Sequence, residues 1–372
     1  MNILLFCCCF FAKGQQRNTP WKWNEFVIGA DMSYVNELED AGGVYKMNGR
    51  KEDPFTIIKS IGVNTVRVRL WHTPAWKKQL NSNGKMYSDL FDVEKTIRRA
   101  KQAGMAVNLD LHYSDTWADP AHQSTPAAWA SLSFEALKDS VYQYTFSVLE
   151  YFKARNLVPE MIQIGNETNS GMLWPIGKTE DAAGWQRYAA LVNSGMKAVK
   201  DFSATTTIKP QIILHVAQLQ HVDFWLENLI KNGVVDFDII GLSHYYPWSN
   251  YTTMKSIGSK IDSLQTAYHK KVMIMETAFP FTNANADTHT NILTLNNQLE
   301  NRYEATENGQ AAYIADLFKT VKQNKGSGVM YWEPAWISSP MKDLWGTGSA
   351  WENAAWFDFN GNLLKGIRFF KK

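Results

Sequence analysis

Eight short apolar runs, separated by stretches with helical spacing, constrain this chain more than any other feature. They occupy residues 26–31, 65–70, 106–112, 161–166, 211–216, 239–244, 272–276 and 328–333. Each has the length of a buried strand rather than of a helix. Between them, Leu137, Val141, Tyr144, Val148 and Tyr151 recur at three and four residues, as do Trp185, Tyr188, Val192, Met196 and Val199. That is the spacing of one helical face. Strands alternating with helices eight times predict an α/β fold, a single-domain (β/α)8 TIM barrel. An open, doubly wound sheet shares the alternation. It would want a Gly-rich phosphate turn after the first strand, where this chain reads Gly29-Ala30-Asp31-Met32-Ser33.

The long connections, residues 113–132, 168–181, 277–306 and 334–358, follow strands rather than helices. In a barrel such loops crowd the C-terminal face, where chemistry is done. No Pro-rich or Ser-rich linker divides residues 15–372, which are expected to form one catalytic domain. Residues 3–12 are apolar but too short to span a bilayer, and Ala12-Lys13-Gly14 offers the small residues of a cleavage site. A signal peptide over residues 1–14 is therefore expected, with a secreted, periplasmic or cell-surface protein as the product. Cys7, Cys8 and Cys9 all lie in that segment, so the mature chain would have no disulfide. Lys plus Arg total 38 against 36 Asp plus Glu, and basic runs stop at pairs such as Lys77-Lys78 and Arg98-Arg99. This balance argues against nucleic acid as the ligand. No later stretch has transmembrane length, and a monomer is expected.

Two candidate catalytic carboxylates stand out. The fourth run ends Gln163-Ile164-Gly165-Asn166-Glu167 and the seventh ends Met273-Ile274-Met275-Glu276. In a closed barrel both would open onto one mouth and converge on one bond, as glycoside hydrolysis requires: one carboxyl protonates the leaving oxygen, the other attacks or activates water. Each could instead cap a strand or pair with an Arg. Arg67 and Arg69 alternate with Val66, Val68 and Leu70, so they share a side, and an Arg beside Glu276 would keep it ionised. A structural ion pair is the competing role for either. His112, His215 and His244 fall near strand ends, which raises a metal-dependent hydrolase as a rival. The first strand lacks the His pair such enzymes use, and no His-Glu-x-x-His helix occurs, so no cofactor is expected for catalysis. His112 and His244 read better as neutral groups bonding sugar hydroxyls or orienting a Glu; for His215 a core histidine is at least as good a reading.

Trp and Tyr number 15 each, and many fall in the same loops: Trp71, Trp76, Trp117, Trp129, Trp174, Tyr245, Tyr246, Trp248, Trp332 and Trp336. Sugar rings pack their C–H faces on aromatic planes, so this lining suits a polysaccharide. One Trp alone is ordinary loop packing; the clustering carries the argument.

Together with Val66-Arg67-Val68-Arg69-Leu70-Trp71, the run from Asp110 through His112-Tyr113-Ser114-Asp115-Thr116-Trp117-Ala118-Asp119-Pro120 and the segments Ile164-Gly165-Asn166-Glu167, Glu276-Thr277-Ala278-Phe279-Pro280, Tyr331-Trp332-Glu333-Pro334-Ala335-Trp336 and Trp351-Glu352-Asn353, the chain resembles glycoside hydrolase family 53, the endo-β-1,4-galactanases. The resemblance implies a retaining enzyme with Glu167 as acid/base and Glu276 as nucleophile. Asn166 would bond the sugar 2-hydroxyl, with Arg67, Arg69, His112, Asp115, Trp117, His244, Tyr245 and Trp332 also binding substrate. The implied substrate is the β-1,4-galactan of pectic arabinogalactan side chains. Where the family commonly reads Ser-Tyr-Tyr-Pro, this chain has Ser243-His244-Tyr245-Tyr246-Pro247, leaving open which side chain faces the nucleophile. Bacterial relatives carry a structural calcium after the seventh strand, which by resemblance would fall on Asp287, His289 and Asn291. Two alternatives remain on the sequence: the same chemistry on mannan or cellulose, and a non-catalytic surface glycan-binding protein.

Overall fold

The computed structural model describes residues 25–81, 83–294 and 302–367. The expected signal peptide and the three cysteines lie outside these residues. All eight apolar runs form strands: Val27–Asp31 (β1), Thr65–Leu70 (β2), Ala106–Leu111 (β3), Met161–Ile164 (β4), Gln211–Ala217 (β5), Ile239–Ser243 (β6), Lys271–Glu276 (β7) and Gly328–Tyr331 (β8). Each pairs in parallel with its sequence neighbours, and β1 closes the ring against β8, so the fold is a (β/α)8 barrel.

Helices fill the connections: Pro54–Ser60 (α1), Leu90–Gln102 (α2), Phe134–Lys153 (α3), Ala182–Ala204 (α4), Val222–Lys231 (α5), Met254–Tyr268 (α6) and Glu307–Gln323 (α7). Asp53, Asp89, Ser133, Asp181, Thr253 and Thr306 cap six of these, each accepting a backbone N–H of the first turn. Such caps satisfy donors that a helix start leaves orphaned. The stripe read on α4 is buried throughout, whereas Tyr144 and Tyr151 on α3 are only partly covered. Alternation breaks after β8, where no long helix follows among the described residues. Residues 332–367 instead fold back across the rim. Trp356 N donates to Pro334 O and Leu363 N to Lys46 O, so this segment finds its partners in loop backbone.

Inside the ring, Val27, Met161, Ile213, Ile239, Met273, Met275 and Met330 form an apolar plug distinct from the core under the helices. One pleat higher, the same strands turn polar: Asp31 lies two positions beyond Gly29, Gln163 two beyond Met161, and His215 two beyond Ile213. A strand's period of two makes these side chains share a face with the plug. Close packing fixes the small residues between them; a Cβ on Gly241 would stand 2.6 Å from Met275 Cγ. On β7 the period fails. Leu242 faces Ile274, yet Ser243 faces Glu276, so Met275 is an extra residue. This bulge lets Met275 join the plug while Glu276 still turns inward, and re-aiming a side chain beside a site is a recurring use of bulges.

Candidate active site

The polar layer above the plug centres on Arg67, which is 1% exposed. Its guanidinium reaches Asp31 Oδ2, Asp110 Oδ2 and Glu276 Oε1, each at 2.8 Å, and donates to Asn166 Oδ1 at 2.7 Å. Three carboxylates on one cation leave excess negative charge in a buried place. Burial alone would push Asp110 up, but Arg67 and His112 outweigh it and hold that carboxyl below its ordinary range.

One oxygen of Glu167, one of Glu276 and a ring nitrogen of His215 lie within 4.8 Å of one another. Although both glutamates stand in the same mouth, their partners differ. Glu276 is 5% exposed and takes Arg67 on one oxygen, while Tyr245 O–H donates to the other at 2.8 Å. Glu167 remains partly exposed, has no cation in contact, and accepts from Ser243 Oγ. Burial and the charge of Glu276 push Glu167 up to about 8. Burial also raises Glu276, to about 7, with Arg67 and Tyr245 working against the rise. Arg67 and Tyr245 thus favour the negative charge of the pair on Glu276, and Glu167 has no such partners.

Backbone strain collects at the same rim. Tyr113, Glu167, Gln218 and Glu333 follow barrel strands with φ of 50°, 46°, 63° and 45°. Non-glycine residues in this left-handed region cost on the order of 1–3 kcal/mol each, and they persist where the surroundings hold them for a purpose.

The other expected site residues divide. Asn166 is in place, with Nδ2 donating to Ala118 O at 2.8 Å and Oδ1 taken by Arg67; its second amide hydrogen remains for a ligand. Tyr245, not His244, faces Glu276. His244 is fully buried with neither ring nitrogen bonded, and burial lowers it to about 4, so it is a neutral core group rather than a sugar ligand. His112 is also withdrawn from any sugar. Its Nδ1 accepts from Trp71 Nε1 and Ala118 N, which leaves Nε2–H for Asp110 at 3.0 Å. Asp115 braces loops, accepting from Thr73 N and Ala127 N. Arg69 does not reach Glu276: it sits against Glu333 at 3.5 Å, with Trp117, Tyr34 and Trp71 rings 4.3 to 4.6 Å from its Cζ. Trp117 and Trp332, both partly exposed, stand 6.1 Å apart as an aromatic wall, continued by Trp336 and Trp351.

Sequence alone assigns no role to Asp31, Asp110, Gln163, Ser243 or Glu333, and leaves His215 open between core and site. The available signal was a polar residue in the inward phase of an otherwise apolar strand. Glu333, fully buried beside Arg69, is pushed well above the ordinary carboxylate value by burial and by Asp31, with Arg69 working against the rise. The proximity of Glu167, His215 and Glu276 also resembles a metal triad. His215, however, has Nε2 on Ser243 at 2.9 Å and Nδ1 against Gln163 and Asn166, so its lone pair is already engaged.

The expected calcium residues lie in the loop after β7, which the segment after β8 covers. Asn291 Oδ1 and Glu352 Oε2 are buried oxygens with no partner. Asp287 accepts from Ser338 Oγ at 2.6 Å and Ser349 N at 2.9 Å. Orphaned buried oxygens are the kind of donor a hard cation takes. The His289 side chain does not fit: its Nε2 lies 3.3 Å from Asp343, and calcium takes oxygen.

Residues 27–370 match the family described as glycosyl hydrolase family 53. The arabinogalactan endo-β-1,4-galactanase of Cellvibrio japonicus (strain Ueda107) is 43% identical over 366 residues, spanning 96% of this chain and 92% of that protein. The endo-β-1,4-galactanase of Bacillus subtilis (strain 168) is 35% identical, spanning 93% of this chain and 86% of its own length. Among solved structures, the Ignisphaera aggregans GH53 catalytic domain superposes with a TM-score of 0.84 at 35% identity, covering 95% of this chain and 97% of its own. One of two fungal β-1,4-galactanases does so at 0.78 and 31%, covering 92% and 98%.

Proposed function

The chain belongs to glycosyl hydrolase family 53 and is a glycoside hydrolase; from that premise we propose that it cuts β-1,4-galactan internally, with retention of configuration. The observation that carries the mechanism is the approach of Glu167 and Glu276 to within 4.8 Å. Retaining enzymes hold their carboxyl groups about 5–5.5 Å apart, whereas inverting ones leave about 6.5–9.5 Å for a water. Partners assign the roles. Glu276, ionised by Arg67 and oriented by Tyr245, attacks the anomeric carbon as Glu167 gives its proton to the departing glycosidic oxygen. Glu167, then a base, takes a proton from the water that cleaves the glycosyl ester. Asn166 offers its free N–H to the 2-hydroxyl, and the Trp117–Trp332 wall receives the sugar faces. Galactose as the sugar rests on the named relatives.

Reducing-sugar release from linear β-1,4-galactan, beside mannan and carboxymethyl cellulose, tests the substrate. Galactan is expected to be cut fastest, and faster cleavage of another glycan would overturn the choice. Proton NMR of the first product tests the mechanism: the β-anomer should appear first, and initial α-anomer would establish inversion.

A calcium ion would be held by oxygens of Asp287, Asn291 and Glu352, tying the loop after β7 to the one after β8. Its removal by chelator should lower the melting temperature by about 5 °C, with recovery on adding calcium. A melting temperature unmoved by either treatment would remove the ion from this account.

A further inference from the structure

His215 and Ser243 are fully buried directly behind Glu167, and the reaction described above does not use them. Ser243 Oγ donates to Glu167 Oε1 and lies 2.9 Å from His215 Nε2. A serine hydroxyl has one hydrogen. If it goes to Glu167, the Ser243 oxygen must accept from His215, which requires the proton on Nε2 and a lone pair on Nδ1. The backbone N–H of Glu167, 3.4 Å away, donates to that lone pair; Gln163 Nε2 also stands at 3.1 Å, with Asp110 Oδ1 at 2.6 Å and Gly165 O at 3.0 Å as closer acceptors for its two hydrogens. Asn166 Oδ1, 2.9 Å from the same Nδ1, accepts from Arg67 and would take a further hydrogen from His215 only in the other tautomer. With the other tautomer, Ser243 would donate to His215 and the backbone N–H of Glu167 would lose this partner.

We propose that His215 and Ser243 are a positioning relay for the general acid: His215 Nε2–H donates to Ser243, Ser243 donates to Oε1 of Glu167, and the transferable proton is thereby confined to Oε2. A protonated carboxyl can carry its hydrogen on either oxygen, and only one of them points at the leaving group. Reserving Oε1 as an acceptor makes every protonated Glu167 a competent acid. The Ser243 hydrogen never leaves its oxygen. In the first half-reaction the Oε2 proton passes to the glycosidic oxygen; in the second, a proton from water returns to Oε2. Burial and Arg67 lower His215 well below the ordinary imidazole range, which keeps the ring neutral, as a one-donor, one-acceptor relay needs.

The proposal rests on Glu167 being the acid, so the test separates the two. For Ser243→Ala and Glu167→Ala, kcat/KM would be measured on a galacto-oligosaccharide and on a dinitrophenyl β-galactobioside, whose leaving group departs without a proton. Glu167→Ala should lose on the order of 10²–10⁴-fold on the oligosaccharide and far less on the aryl substrate. Absence of that split would refute the acid assignment itself. Ser243→Ala should show the same split with a smaller loss, about tenfold on the oligosaccharide. An equal loss on both substrates, or none on the oligosaccharide, would overturn the relay while leaving Glu167 as acid. In the unaltered enzyme, ¹⁵N NMR of His215 should find the hydrogen on Nε2; a hydrogen on Nδ1 would also overturn it.

Discussion

Glu276→Ala should lower kcat on galactan by about 10⁴-fold or more, because it removes the carboxylate that forms the glycosyl ester. Asp31 and Asp110 are bound to Arg67 below the rim and Glu333 sits against Arg69, so none of these replaces it. Truncation leaves a hole where a small anion can stand in for the missing oxygen. Azide should therefore restore turnover and yield a glycosyl azide of inverted, α configuration. A β-linked azide would assign Glu276 the acid/base role instead. A second consequence follows from the shared field. The charge of Glu276 is the second cause, after burial, of the raised Glu167, so Glu276→Gln should bring Glu167 down from about 8 without returning it to an exposed carboxyl's value. A ¹³C titration of Glu167 that is identical in the two proteins would show that the carboxylates do not sense one another.

Arg67→Met should damage stability and activity together. Methionine fills much of the volume but leaves Asp31, Asp110 and Glu276 without the cation that reaches all three. Breaking a buried ion pair on one side costs about 3–5 kcal/mol. The effect has a definite pH dependence. Arg67 holds Asp110 below its unfolded value, so the wild type gains stability from that group above the ordinary carboxylate range and loses it as pH falls. Without Arg67, burial raises Asp110, and it raises Glu276 further above its present value of about 7. A raised group favours the folded state only while protonated, so its penalty grows as pH rises. Urea denaturation should thus find the variant far weaker than wild type near pH 8, with the gap closing as pH falls toward about 4. A gap independent of pH would mean that the loss is packing rather than charge. At neutral pH kcat/KM should fall on the order of 10²–10³-fold, as Glu276 becomes protonated and its orienting donor is gone.

Much of this architecture was legible in the chain because its signals are local. Residues 65–70 and 161–164 are apolar runs bounded by turns, and both are strands. The caps at Asp89 and Ser133 need only the next few residues. Residues 332–367 carry no such signal. They are held by Lys46, Phe281 and other backbone groups distant in sequence, so only the folded chain shows why no long helix follows β8 among the described residues. Within the site, Asn166, Glu167 and Glu276 could be named from strand ends, while the choice between Arg67 and Arg69 could not. Both point inward, and one further pleat carries Arg69 away from the carboxylates into a cage of rings.

The sequence by itself determined the eight strands, the shared side of Arg67 and Arg69 on one of them, and two glutamates delivered to one rim, since a period of two and a run of apolar side chains need no partner to be read. Tertiary structure alone decided which of those side chains meet. The bulge at Met275 turns Glu276 inward against the period of its own strand, Tyr245 rather than His244 reaches it, and His215 joins Ser243 behind Glu167. Each depends on how separate strands register when the ring closes. Register is set by the packing of the whole barrel, where a shift of one residue would reverse every side chain.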